Sequence, residues 1–285
     1  MVSKNSFYLQ MDIKSFFTSI DQRILYDLIA RKVKSEEILW LARTIIFHDC
    51  VRDVPPKIQS QPSLFNKLPR DKSLFTAAKG KGLPIGNLTS QFFANVYLNE
   101  LDQFAKHKLK AKYYLRYVDD FLLISSDREQ LKEWHAAIVS FLKERLCLEL
   151  NLKKQILQKT NKGIDWLGYI IKPDHILVRR RIVKNFKRKL FQYNQILKNY
   201  SQKDEGGQLL LPLFANDPPL ELIEKMLATV NSYFGHFKHA DTFKLRTHLW
   251  ENRFQKLRDY IEPKDPDLIC LQIKPEFLER AGRAR

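Results

Sequence analysis

Asp119 and Asp120 stand side by side at the tip of a hairpin signal. Tyr113 to Tyr117 and Phe121 to Ser125 are both rich in aromatic and branched residues, the composition of strands flanking a turn. A lone Asp-Asp pair fits an ordinary turn, because Asp bonds its own backbone there and tolerates strained dihedrals. Asp12 changes that balance. It ends the apolar run Phe7-Tyr8-Leu9-Gln10-Met11 and precedes Ile13-Lys14-Ser15-Phe16-Phe17, so a second carboxylate sits on a second strand. Carboxylates on neighbouring strands can bridge two Mg²⁺ ions, or Mn²⁺ in their place, with hard oxygen ligands. Such a pair serves nucleotidyl transfer: one ion lowers the pKa of a primer 3′-hydroxyl and the other steadies a triphosphate.

Net charge tests that reading separately. The chain carries 49 Lys and Arg against 32 Asp and Glu, a balance of +17 over 285 residues. Such a surface attracts polyanions, with binding that falls steeply as salt rises. The charge also clusters. Between His175 and Tyr200 lie eight basic residues (Arg179, Arg180, Arg181, Lys184, Lys187, Arg188, Lys189 and Lys198) and no acid, interleaved with Phe186, Phe191 and Tyr193. This predicts a one-signed helix face.

A hydrophobic share of 44% with 12% aromatic residues describes a globular chain long enough for two subdomains. Cys50, Cys147 and Cys270 lie far apart without metal-ligand spacing, as in a reduced setting. No apolar run is long enough to span a bilayer and the first residues lack a secretion signal, so a cytoplasmic protein without membrane partners is expected.

The elements that must position the carboxylates follow from periodicity and punctuation. A strand over about Ser6 to Ile13 precedes a helix over Gln22 to Val33, capped by Asp21, and a second helix over Ser35 to Phe47. Asp49 to Lys81, with Pro55, Pro56, Pro62 and Pro69, reads as an irregular surface insertion. Asp49 and Asp53 there rank well below Asp12 as ligands. The segment Gly80 to Gln91 is a glycine-bearing loop opening a helix from Leu88 to Lys108, with Thr89 and Ser90 hydroxyls as expected caps. Ser126-Asp127-Arg128-Glu129 reads as a capping box for a helix to about Leu146, which makes Asp127 a cap and not a third ligand. A lysine-bearing turn at Leu148 to Lys154 and an apolar hairpin at Gly163 to Tyr169 follow. The order implies an α+β domain, one antiparallel sheet with helices on one face.

From about Arg181 the pattern turns helical: Ile182 to Tyr200, Leu220 to Phe237 after the Gly206-Gly207 and Pro218-Pro219 break, then Asp241 to Tyr260. Leu220, Ile223, Met226, Leu227, Val230, Tyr233 and Phe234 recur at helical spacing and read as core. His236, His239 and His248 read as surface or capping residues rather than ligands. The stretch after Pro263 is broken by prolines and carries no clear periodicity.

Over nearly its whole length the chain resembles reverse transcriptases, because five motifs stand in the family's order. Asp12 to Phe17 resembles the first catalytic motif, Ile85 to Gln91 the second, Tyr117 to Asp120 the third, Asn151 to Lys154 the fourth, and Trp166-Leu167-Gly168 the primer grip. The resemblance implies a right-hand polymerase: an antiparallel palm over 1–178 with a partial fingers insertion at about 34–84, and a basic helical thumb over 179–285. It implies that Asp12, Asp119 and Asp120 hold the two ions with the Ile13 carbonyl, and that Lys154 is the proton donor to departing pyrophosphate. Lys14, Ser15, Phe16, Phe17, Ile85, Gly86 and Gln91 would bind the deoxynucleoside triphosphate. Phe17, five residues past Asp12, falls where the family places the aromatic that excludes a ribose 2′-hydroxyl, with Phe16 as core or the two exchanged. Tyr117, Trp166, Leu167, Gly168, Arg179, Arg180, Arg181, Lys184, Lys187 and Arg188 would meet the RNA template, DNA primer and RNA–DNA hybrid.

Two departures narrow the comparison. The second motif begins with Ile85 and ends with Ser90-Gln91, where retroviral members begin with Gln and end with Ser-Pro. The form found here resembles the enzymes of bacterial and phage diversity-generating retroelements, as does Ser232 to His239 in the thumb. That resemblance implies error-prone copying of an RNA template and a retroelement accessory protein as partner. Ile85, lacking a side-chain amide, would loosen base selection. Family members also carry fingers segments before the first catalytic Asp, including basic residues that hold the triphosphate, so the chain is expected to be truncated at its N-terminus. Group II intron, retron, abortive-infection and unclassified bacterial enzymes stand as alternatives, beside a catalytically silent RNA-binding protein.

Overall fold

A computed structural model describes residues 6–52, 73–200 and 217–283, and two compact units divide the chain, Met1–Asn161 and Lys162–Arg285. In the first, strands β1 (Phe7–Asp12), β2 (Tyr113–Tyr117), β3 (Asp120–Ser125) and β4 (Ile156–Lys159) form one antiparallel sheet in the order β2-β3-β1-β4. Alternation sends Leu9 and Met11 of β1 and Phe121 and Leu123 of β3 to one face. There they pack with Phe93, Tyr97 and Leu101 of a long helix, α4 (Leu88–Gln103), and with Leu131, Ile138 and Leu142 of α5 (Arg128–Leu146). Three shorter helices, α1 (Phe16–Ser19), α2 (Gln22–Ala30) and α3 (Glu36–Ile46), complete this helical layer. Tyr97 is fully buried and donates its hydroxyl hydrogen to the Leu146 carbonyl at 2.6 Å, and burial holds its pKa above the ordinary phenol value.

Helix ends follow side-chain chemistry, with two corrections. Asp21 caps α2 by accepting from the amides of Arg23 and Ile24 at 3.0 and 3.1 Å. Helix α5 begins at Asp127, whose carboxylate accepts from the Glu129 amide at 2.8 Å, in place of the Ser126-to-Glu129 capping box. The Asp127 amide in turn donates to Ser125 Oγ at 3.0 Å, which draws the cap one residue along. Helix α4 starts at Asn87 with no side-chain cap; Ser90, expected to cap it, is buried within the first turn, so the terminal amides stay available. The same helix closes on a π-helical turn, Phe104–Lys108. Asp49 accepts from the Val51 amide and pairs with Arg52 at 3.1 Å, while residues 53–72, which contain Asp53 and the four prolines, lie outside the described residues.

The hairpin between β2 and β3 is braced from below. Arg116 holds Asp102 of α4 with two bonds, Nε to Oδ1 at 2.7 Å and Nη2 to Oδ2 at 2.6 Å, and Tyr114 donates to the same carboxylate at 2.7 Å. The remaining guanidinium nitrogen donates to the Val118 carbonyl at 3.0 Å. Val118 has φ 55°, a left-handed conformation that costs a β-branched residue about 1–2 kcal/mol. The fork thus fixes the turn that carries Asp119.

The second unit begins with a three-stranded antiparallel sheet, β5 (Ile164–Trp166), β6 (Tyr169–Ile171) and β7 (Ile176–Val178). Helices α6 (Arg180–Tyr200), α7 (Leu220–Phe237) and α8 (Phe243–Arg253) follow, then a hairpin of β8 (Ile261–Pro263) with β9 (Leu271–Ile273), and α9 (Pro275–Arg283). Val178 and Tyr169 pack into the core of this unit, which is why the division falls at 161/162 and not at 178/179. The helix expected over Asp241 to Tyr260 is shorter, because the Asp241 carboxylate accepts from the Ile176 amide at 2.7 Å and the chain tightens into a 3₁₀ turn, Gln255–Asp259. At the centre Phe186 is fully buried, stacked on Tyr233 and edge-on to Phe234, Phe237 and Phe254. No helix among the described residues is long and apolar enough to cross a membrane.

Two stability predictions follow from this packing. Phe186→Ala is expected to lower unfolding free energy by about 3–5 kcal/mol in urea titrations, the cost of an aromatic-sized cavity. Asp102→Ala is expected to cost about 3 kcal/mol by leaving a largely buried guanidinium without its carboxylate. In a double-mutant cycle Arg116→Ala should then add far less than it costs alone; full additivity would show that the fork does not couple the two residues.

Candidate active site

The antiparallel register of β1 and β3 sets Asp12 directly opposite Asp120, and the Ile13 amide donates to the Asp119 carbonyl at 3.3 Å across the same strand ends. Three carboxylates therefore converge at one end of the sheet. Burial pushes the Asp120 carboxyl up to about 6, with the negative charges of Asp12 and Asp119 adding to the shift. Asp12 is itself buried. Its Oδ2 accepts from Lys154 Nζ at 2.6 Å and its Oδ1 from Asn151 Nδ2 at 3.1 Å. That contact with Asp12 holds the Lys154 ammonium above its ordinary pKa. Among the described residues no group of three or more His, Cys, Asp or Glu side chains is already arranged to hold a metal ion. The donor set nonetheless fits divalent cations: hard carboxylate oxygens, mutual repulsion that a cation relieves, and an open side.

That open side is a cavity of about 630 Å³ lined by Asp12 to Thr18, Ile85, Asp119 and Glu149 to Lys154. Phe16 is buried beneath it, whereas Phe17 is only partly buried and faces the same cavity, with the two rings 5.4 Å apart. Ser15 begins α1 with φ 49°, turning the chain sharply after Asp12 so that α1 forms one wall. The glycine-bearing loop is stitched to α1 and α2 by backbone bonds: Leu83 N to Phe17 O at 2.8 Å, Gly82 N to Ile20 O at 2.8 Å and Gln22 N to Gly80 O at 3.1 Å. This brings Ile85, 69% exposed, to the cavity. Gly86 follows with φ 106°, which a side chain would strain. Lys14 also lines the cavity and pairs with Glu149 at 3.5 Å. Gln91 and Tyr117 do not line it; both are exposed, Gln91 in the first turn of α4 and Tyr117 at the end of β2.

Trp166-Leu167-Gly168 turns β5 into β6, with Leu167 at φ 49° and Gly168 at φ 92°, the left-handed pair of a tight hairpin. A side chain at Gly168 would meet His236 and Ile182 at 3.0 Å. His236, expected at the surface, stacks on Tyr169 with ring centroids 4.3 Å apart and accepts the Tyr169 hydroxyl at its carbonyl at 2.9 Å. Arg179 is committed to the Asp165 carboxylate, whereas Arg180, Arg181, Lys184, Arg188 and Lys189 are exposed on α6 and Lys187 partly so. On the opposite face Phe186, Leu190 and Leu197 enter the core, so of the interleaved aromatics only Phe191 is exposed.

Sequence reasoning placed Asn151 in a motif without giving it a task. Its amide donates to the Asp12 carbonyl at 2.8 Å, its side chain to the Asp12 carboxylate, and its Oδ1 accepts from the Lys153 amide at 3.2 Å to start the 3₁₀ turn Leu152–Lys154. Asn two residues before a lysine pair is the available signal, since Asn favours such local bonds. Arg116 and Asp102 were also missed, because their pairing spans elements that sequence does not show to be adjacent.

Comparison with known proteins bears on this arrangement. Protein YkfC of Escherichia coli (strain K12) is 22% identical over 211 residues, 63% of this chain and 49% of that protein. The putative COX1/OXI3 intron 2 protein of Saccharomyces cerevisiae is 20% identical over 205 residues, 59% of this chain and 24% of that protein. The chain thus spans about half or less of the curated relatives it matches. Among solved structures, apo telomerase from Candida tropicalis aligns at TM-score 0.47 and 15% identity over 88% of this chain and 45% of that one. Telomerase from Candida albicans, solved with a fragment of telomeric RNA, aligns at 0.40 and 18% over 90% and 46%. The family model for reverse transcriptase (RNA-dependent DNA polymerase) matches residues 2–171, which include Asp12, Asp119, Asp120, Asn151 and Lys154. With well over half of its length matched by that model, the chain belongs to the reverse transcriptase family.

Proposed function

We propose that this chain catalyses RNA-directed DNA synthesis, adding deoxynucleotides to a primer on an RNA template. The observation that carries the reading is the register that sets Asp12 across from Asp120, with Asp119 in the adjoining turn and with Asp12 and Asp119 lining one cavity. Asp12, Asp119 and Asp120, with the Ile13 carbonyl, would hold two Mg²⁺ ions, or Mn²⁺. When bound, the ions supply Lewis-acid charge to the attacking 3′-hydroxyl and the triphosphate. The protein's own share is to orient and to exclude. Lys14, Ser15 and Gly86 border the triphosphate, Phe17 offers a partly buried ring against a ribose 2′-hydroxyl, and Lys154 protonates the departing pyrophosphate. The exposed basic residues of α6 neutralise phosphates of the RNA–DNA hybrid with little sequence preference, as expected where only backbone and duplex shape are met.

Primer extension on an RNA template with deoxynucleotides and Mg²⁺ tests this reading. Asp119→Asn with Asp120→Asn is expected to abolish extension while leaving hybrid binding within about twofold, since neutral isosteres keep the turn and leave the basic residues of α6 unchanged. Extension that survives the double substitution would remove these carboxylates from the chemistry.

The setting we propose is a diversity-generating retroelement, in a cytoplasm, with an accessory protein assisting template choice. Ile85 supports it: an exposed apolar side chain borders the cavity at the position where other members present an amide. Ile85→Gln is therefore expected to lower misincorporation severalfold by sequencing of the products, and an unchanged error spectrum would overturn the role of Ile85. A second reading, an intron-encoded enzyme, is favoured by the similarity to the yeast intron 2 protein.

A further inference from the structure

We propose that Lys154 is an exchangeable counter-ion for Asp12, clasping the carboxylate while the site holds no divalent ion and leaving it when one binds, with Asn151 as the fixed half of the clasp. The proposal rests on the ion-dependent reading above.

Each oxygen of Asp12 accepts one hydrogen bond, Oδ1 from Asn151 and Oδ2 from Lys154, so a divalent ion arriving at Oδ2 meets a second positive charge on the same oxygen and repels it, whereas the neutral amide at Oδ1 can stay. The two partners are anchored differently. Asn151 is tied three ways: its amide bonds the Asp12 carbonyl, its side-chain nitrogen bonds the carboxylate, and its side-chain oxygen caps the turn at Lys153. Releasing it would break all three. Lys154 reaches Asp12 through one ammonium on a flexible stem, with its side chain 61% exposed against 7% for Asp12, and water can replace its single contact. The ammonium is also the group that a cation most directly replaces, since both offer positive charge to the same oxygen.

Exchange would link two events that otherwise need separate control. While Lys154 sits on Asp12 its ammonium is unavailable to a triphosphate, and the charge repulsion among three carboxylates is partly relieved. Once Lys154 leaves, its ammonium stands free at the cavity that Lys154 and Asp12 both line. Asn151 meanwhile keeps Oδ1 and the Asp12 backbone in place, so the carboxylate does not turn with the departing lysine. Lys154 is thereby released for phosphate only in molecules whose Asp12 has taken up an ion.

Titration of the full chain with Mn²⁺, read by electron paramagnetic resonance of free Mn²⁺ without nucleotide or primer, tests the clasp. Lys154→Met is expected to tighten Asp-dependent binding by about three- to tenfold, the range of one partly exposed charged contact. Lys154→Arg should return affinity toward that of the unaltered chain, Asn151→Ala should weaken it, and Lys153→Met should change it by less than about twofold. Unchanged or weaker binding in Lys154→Met overturns the proposal, as does equal tightening in Lys153→Met, which would reflect net charge alone. Circular dichroism checks that each variant is folded, and the arginine variant keeps the test decisive where methionine disturbs the turn. If the unaltered chain shows no Mn²⁺ binding that Asp119→Asn with Asp120→Asn abolishes, the ion-dependent reading falls together with the clasp. Normal Asp-dependent binding that ignores Lys154 overturns the clasp alone.

Discussion

Like charges crowded at the end of a sheet push apart, and here the pairing of β1 with β3 sets Asp12 across from Asp120 with Asp119 beside them. That repulsion is a standing cost that the surrounding structure must offset. Part of the offset is electrostatic, from Lys154, and part is geometric, from Asn151 and from the Arg116 fork that holds the Val118 carbonyl. The apolar packing of Leu9, Met11, Phe121 and Leu123 against α4 and α5 supplies the rest, since it fixes the register from which the crowding arises. A slip by one residue would turn those four side chains to the other face, so the site and the core stand or fall together.

Strain is distributed in the same way. Ser15, Val118 and Leu167 are non-glycine residues with positive φ, and each lies inside one of the sequence motifs. Such conformations persist only where neighbouring bonds determine them fully. For Val118 the neighbour is Arg116; for Ser15 it is α1, whose Thr18 and Ser19 amides both donate to the Ser15 carbonyl at 3.0 Å. The motifs are therefore shapes as well as residue types.

Much of this was legible from sequence where period and chemistry agreed. The strands around Asp12 and Asp120, the cap at Asp21, and helix α7 over Leu220–Phe237 follow from alternation, an N-terminal Asp and 3.6-residue spacing. What stayed hidden depends on partners distant in sequence. Nothing near Asn151 reveals that it meets Asp12, and nothing near Arg246 reveals that its buried guanidinium bonds the Asp267 carbonyl at 2.9 Å. The hairpin of β8 and β9 escaped notice because Pro263, at the end of one three-residue strand, and Pro266, in the turn after it, mask any alternation. The division between units lay beyond reach for a similar reason, since the strands of β5 to β7 resemble the first sheet in composition yet pack with the helices that follow.

The backbone bonds joining Ile20 to Gly82 and Gln22 to Gly80, with the bridge between Asp21 and Lys81, close the intervening chain at its base. The helices inside that closure are not insulated from the rest, since Leu25 and Ile29 of α2 and Ile46 of α3 enter the core of the first unit, so this neck and the core hold the same elements in place. Loosening the neck would therefore be felt twice, in the packing of α2 and at the wall that α1 sets beside the carboxylates, because Leu83 and Gly82 bond the two ends of α1 through Phe17 and Ile20.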